Sequence, residues 1–87
     1  MNEPSTDSVL AEIRAIAQAE LDHTGPIQEN DELIADLGID SLGAIVLAVG
    51  LENHFRVHLQ EQAAGTLVTV GDLVRLVQQR CREAART

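Results

Sequence analysis

Apolar residues recur along this chain at helical spacing, and no segment alternates in the way a half-buried strand requires. That pattern points to an all-α fold. Val9, Ile13, Ile16 and Ala17 stand at i, i+4, i+7 and i+8, and Leu10 and Leu21 widen the stripe. Glu12, Arg14, Gln18 and Glu20 occupy the opposite, solvated face. With Ser5 or Thr6 as cap, a first helix is expected over about 6–21. Val70, Leu73, Val74 and Val77 form a second clean stripe, preceded by Thr69 and Asp72 at capping spacing. This predicts a last helix over about 70–84, whose Arg80, Arg82 and Arg86 suit the negative end of a helix dipole.

The segment 41–55 is apolar on two sides. Ala44, Leu47, Ala48, Leu51 and Phe55 gather on one side, enough to face a core. Leu42, Ile45, Val46 and Val49 gather on another, with Asn53 at its edge. An ordinary surface helix buries one stripe and wets the rest. The second stripe is therefore expected to be a face that a partner covers, the alternative being that the bundle or the loop covers both sides.

Between the first two helices, Asp22-His23-Thr24-Gly25-Pro26 breaks the pattern. A loop is expected from there to about residue 40, with one helical turn at 31–36. Ile27, Leu33, Ile34 and Leu37 are expected to tie it across the open end of the bundle. Its acids, Glu29, Asp31, Glu32, Asp36 and Asp40, lack the spacing of an EF-hand loop and read as a solvated acidic loop, not a metal site. After 55, Arg56-Val57-His58-Leu59 reads as a connector with Val57 and Leu59 inward. A short helix over about 60–64, ended by Gly65, should follow.

Composition narrows the function. With 87 residues, the chain is expected to be one domain, 1–87, with an ordered core over about 6–84. Aromatics are 1% of it, so the core must be aliphatic around Phe55. No apolar stretch reaches the ~20 residues that span a bilayer. Met1-Asn2-Glu3-Pro4 lacks the basic start of a signal peptide, so a cytoplasmic protein is expected, and a monomer. Cys81 is the only cysteine, and His23, His54 and His58 offer it no partners at metal-ligand spacing. The net charge is −8, and residues 1–40 hold ten acids against Arg14 alone. Such a surface argues against nucleic acid and anionic membrane, and for basic protein partners.

One stretch carries the chemistry: Leu37-Gly38-Ile39-Asp40-Ser41-Leu42-Gly43. Gly38 allows a tight turn, Asp40 is a good N-cap, and Ser41 falls where helix N–H groups and the positive dipole end converge. A phosphate ester is well placed on that hydroxyl. Gly38 to Gly43 is a near miss of the hydrolase nucleophile elbow, but no strand precedes it and no base is placed to activate the serine. No catalytic residue is assigned, and the chain is read as no enzyme.

Asp40-Ser41-Leu42 after Leu37-Gly38, at the start of the second of four helices, resembles the attachment motif of acyl carrier proteins, and the family's four-helix pattern lies on residues 6–84 without a gap. The resemblance implies a four-helix bundle with a long loop between helices one and two and a short third helix. In place of the proline common at the start of that third helix stands Gln60. It further implies 4'-phosphopantetheine, taken from coenzyme A by a phosphopantetheinyl transferase and joined to Ser41, with Asp40 supporting the transfer. Leu42, Ile45, Val46, Val49 and Asn53 are then the recognition face for acyl-loading, ketosynthase or acyltransferase enzymes. Gly43 and Val46 stand where the family often has acids, leaving Glu52 alone within that helix. This suggests a discrete carrier of a dedicated pathway, polyketide, fatty acid or other specialised acyl synthesis, whose docking depends little on salt. Ala44, Ala48 and Gly50 leave room for an acyl chain, although a glycine inside a helix equally marks close helix packing. Two alternatives remain: a peptidyl or aminoacyl carrier, and an unmodified helical interaction module.

Overall fold

A computed structural model describes residues 3–59 and 68–86. Its regular elements are α1 (Thr6–Leu21), α2 (Ser41–Phe55) and α3 (Val70–Arg86). Among the described residues there is no strand, only an isolated bridge between Glu32 and Thr69. The first two helices match their expected limits, and α3 runs two residues beyond the expected end. The short helix expected over 60–64 lies outside the described residues.

Each helix start follows from its sequence. Ser5 caps α1, its Oγ accepting from the Ser8 amide at 3.1 Å. The start of α3 is a reciprocal box: Thr69 Oγ1 accepts from the Asp72 amide at 3.1 Å, and Asp72 Oδ2 accepts from the Val68 and Thr69 amides at 3.0 Å each. α1 and α2 end on residues in the left-handed region, Asp22 (φ 56°) and Arg56 (φ 61°).

α1 and α2 run in opposite directions, Leu21 meeting Gly43, Ile16 meeting Gly50 and Glu12 meeting His54. The C-terminal half of α3 lies against the start of α1, where Gln78 Nε2 donates to the Pro4 carbonyl at 3.1 Å. Val9, Ile13 and Ala17 of α1, Leu47, Ala48 and Leu51 of α2, and Val70, Leu73, Val74 and Val77 of α3 are buried together. Phe55 is only half-buried at the margin of this aliphatic core.

The long loop is part of the fold. Ile27 and Leu33 are buried and Leu37 half-buried, as expected. Ile34 departs from expectation at 70% exposure, because Leu33 takes the inward position of the turn and its neighbour points to solvent. The unexpected inward residue is Ile39, 5% exposed. Arg14, placed on the solvated face by its spacing, reaches back to the loop, its Nε and Nη2 both donating to the Ile27 carbonyl at 3.1 and 2.8 Å. The loop also completes α3. Val70 and Gly71, whose N–H groups have no intrahelical acceptor, donate to the carbonyls of Asp31 and Glu29 at 2.9 and 2.8 Å.

Two loop acids fold inward on their own backbone. Asp31 Oδ2 accepts from the Gln28 amide at 2.8 Å, and Asp36 Oδ2 from the Glu32 amide at 2.7 Å. No group of three His, Cys, Asp or Glu among the described residues can hold a metal ion. Cys81 is buried at the α3 side of the core, where desolvation, helped by the charge of Glu3, pushes its thiol above the usual range. No helix among the described residues is long and apolar enough to cross a membrane.

Candidate functional site

The local chain path explains why a serine stands where it does. Residues 33–37 form a single turn with the Asp36 amide donating to the Glu32 carbonyl at 3.0 Å. It ends in paired bonds, Gly38 N–H to Ile34 at 3.1 Å and Ile39 N–H to Leu33 at 2.7 Å. The first of them is the 5→1 bond of an αL cap, which needs a left-handed residue just after the turn; Gly38 supplies it with φ +69°. The closure brings Ile39 inward beside the core and leaves Asp40 extended (φ −79°, ψ −175°), as an N-cap must be.

Asp40 then caps α2, its Oδ1 accepting from the Gly43 amide at 2.8 Å. Gly43 is buried, and a Cβ there would meet Ile39 Cγ2 at 2.7 Å. A larger residue would thus push Ile39 off the core or open the cap. Sequence reasoning missed this role; its signal was a glycine three residues after a capping aspartate that itself follows a bulky apolar residue.

Ser41 is the first residue of α2 and is exposed, and Leu42 beside it is 68% exposed. With Gly43 N–H taken by Asp40 and Ala44 N–H by the Asp40 carbonyl, the amides of Ser41 and Leu42 stay unpaired among the described residues. Those N–H groups and the dipole of a 15-residue helix make the surroundings of the Ser41 hydroxyl favourable to an anion.

The other residues expected on the recognition face lie along the same helix. Ile45, Val46, Val49 and Asn53 line one wall of an open groove of about 620 Å³. Its other wall is α1, through Glu12, Ala15, Ile16, Ala19 and Glu20. Leu42 stands outside the groove lining, beside Ser41. The part played by α1 was not foreseen, although Ala15 and Ala19, small residues one turn apart on its solvated side, were the trace of it.

Glu52, the single acid of α2, is engaged elsewhere: its Oε2 accepts from the Leu59 amide at 2.6 Å and ties the connector to the helix. His54 pairs with Glu12 at 3.4 Å at the far end of α2 from Ser41. His58 lies beyond the end of α2, in the connector.

Residues 11–77 match the family described as phosphopantetheine attachment site. The chain belongs to this family. Its similar relatives include the acyl carrier protein of Wolinella succinogenes, 35% identical over 52 residues that cover 60% of this chain and 68% of that protein. The acyl carrier protein of Sinorhizobium fredii is 35% identical over 63 residues, 68% of this chain and 81% of that protein. Acyl carrier proteins carry groups and are not enzymes, and what the family attaches covalently is 4'-phosphopantetheine. Phosphopantetheinyl transferases and acyl-processing enzymes are the partners that the family implies. The head of α2 suits the phosphate of such a group: an exposed hydroxyl with two unpaired amides at a helix's positive end.

Proposed function

We propose that this chain is an acyl carrier whose phosphopantetheine is joined to Ser41, and that it serves as a discrete carrier in polyketide, fatty acid or other specialised acyl biosynthesis. The observation that carries the reading is the placement of Ser41, an exposed hydroxyl on the first residue of a helix whose cap is made by Asp40 next door.

The chain's own residues do three things. Asp40 closes the first turn, so the backbone that bears the Ser41 hydroxyl is already in place when a transferase arrives. His54 is turned to Glu12 and His58 lies in the connector. His23 lines a small pocket with Gly38, Asp40 and Gly43 but makes no hydrogen bond to Ser41 among the described residues, so Ser41 Oγ gives its proton to the visiting enzyme. The Ser41 and Leu42 amides and the helix dipole then stabilise the negative charge that remains on the phosphate. Once attached, the group supplies a thiol on a long flexible arm, which holds acyl cargo as a thioester and raises its concentration at a docked enzyme.

Leu42, Ile45, Val46, Val49 and Asn53 form the face on which loading enzymes, ketosynthases and acyltransferases settle. Val46→Glu is accordingly expected to slow transfer to such enzymes, and unchanged kinetics would remove that face from the account. The identification of Ser41 is tested by supplying a transferase, Mg²⁺ and coenzyme A and weighing the protein: the chain gains mass and its Ser41→Ala variant does not. The alternative of an unmodified interaction module requires that neither does.

A further inference from the structure

The groove between α1 and α2 has an apolar floor, Ala15, Ile16 and Ala19 facing Val46, Val49 and Gly50, and its α1 rim carries Glu12 and Glu20. The two acids are eight residues apart on one helix, about 12 Å at 1.5 Å per residue, or some two helical turns. Glu20 has no ion pair among the described residues, and Glu12 has only His54. The nearest arginine along α1, Arg14, is held by the Ile27 carbonyl. The α1 rim is thus an acidic edge on an apolar trough, unpaired at Glu20 among the described residues and met only by His54 at Glu12, and the contacts of Leu21 with Gly43 put its Glu20 end toward Ser41.

Resting on the carrier reading of Ser41, we infer that this groove receives an amphipathic helix of a partner protein, with one apolar stripe against the floor and Arg or Lys, spaced seven or eight residues apart, against Glu20 and Glu12. The acids missing from α2 are supplied from α1, across the trough. Docking read from α2 alone would be insensitive to salt; docking in this groove is sensitive to it.

The test uses the unmodified chain, labelled with ¹⁵N, and three synthetic peptides of equal length. The first is helical, with leucines on one stripe and arginines at the stated spacing. The second has glutamate for arginine, and the third is a scramble of the first. The first peptide shifts the amides of Ala15, Ala19, Val46 and Val49, and its Kd rises about tenfold between ~20 and ~200 mM NaCl. Glu12→Gln with Glu20→Gln weakens it about tenfold and flattens the salt dependence, with helix content by circular dichroism unchanged. The proposal is overturned if the scramble or the glutamate peptide binds as well, if the glutamine variant binds unchanged, or if the same amides shift with protein concentration alone, which would seat a second copy there. The titration does not involve the Ser41 hydroxyl. Modification of Ser41 without peptide binding therefore sinks the groove alone, and peptide binding without modification sinks the carrier reading on which the groove's role depends.

Discussion

Gly50 lies so close to Ile16 that a Cβ on it would meet Ile16 Cδ1 at 2.6 Å and Cγ1 at 3.0 Å. Of the two meanings left open for a glycine inside α2, close packing against α1 is the one the structure bears out. Glycine here lets the helices approach, and that approach forms the floor of the groove.

Gly50→Ala therefore inverts the usual effect. A mid-helix Gly→Ala change stabilises by about 1 kcal/mol when nothing opposes it, but overpacking costs roughly 1–3 kcal/mol. Urea denaturation should show a net loss on the order of 1 kcal/mol. Ile16→Val removes the clashing Cδ1, so the double variant should be more stable than the sum of the singles.

Gly38→Ala tests the turn that delivers Asp40 and Ser41. Nothing lies within 4 Å of a Cβ at Gly38, so the cost is backbone strain at φ +69°, not a clash. About 1 kcal/mol is expected, and less for Gly38→Asn, which tolerates the left-handed region better. An equal cost for the two variants would show that the conformation is not what matters there.

Asp72 makes stability depend on acid. Its bonds from the Thr69 and Val68 amides, outweighing desolvation and aided by Arg75, hold its carboxyl below the usual value of 3.8. A group with a lowered folded pKa stabilises the fold above its unfolded pKa and ceases to do so as pH falls through the folded one. Asp72→Asn should thus lower stability at neutral pH, because a neutral amide oxygen accepts the two backbone bonds more weakly than a carboxylate. The gap to the parent should narrow below about pH 4, as the parent loses what the variant never had. Denaturation midpoints of both proteins across pH 7 to 2.5 measure this; parallel curves would refute it.

The limits of α1 and α2 were legible because capping residues and 3.6-residue periodicity agree there, Ser5 and Asp40 each preceding a clean apolar pattern. The Asp40-Ser41 turn was legible for the same reason, since Gly38 and Asp40 are local signals. What was not legible depends on residues distant in sequence. Arg14 looks solvated until the Ile27 carbonyl is seen beneath it, and Glu52 looks free for a partner until the connector bends back to it. Ile34 and Ile39 differ in no composition rule, yet the turn closed by left-handed Gly38 leaves one outward and the other inward. The α1 wall of the groove belongs to this class too, because it exists only once Gly50 has met Ile16.

The central claim concerns a single oxygen atom, and intact mass with peptide mapping tests it most directly. After incubation with a phosphopantetheinyl transferase, Mg²⁺ and coenzyme A, the parent chain should gain one phosphopantetheine, mapped to the peptide containing Ser41. Ser41→Ala, of unchanged helix content, should gain none. A parent chain that stays unmodified under conditions that load another carrier, or a gain that survives in Ser41→Ala, would contradict the account.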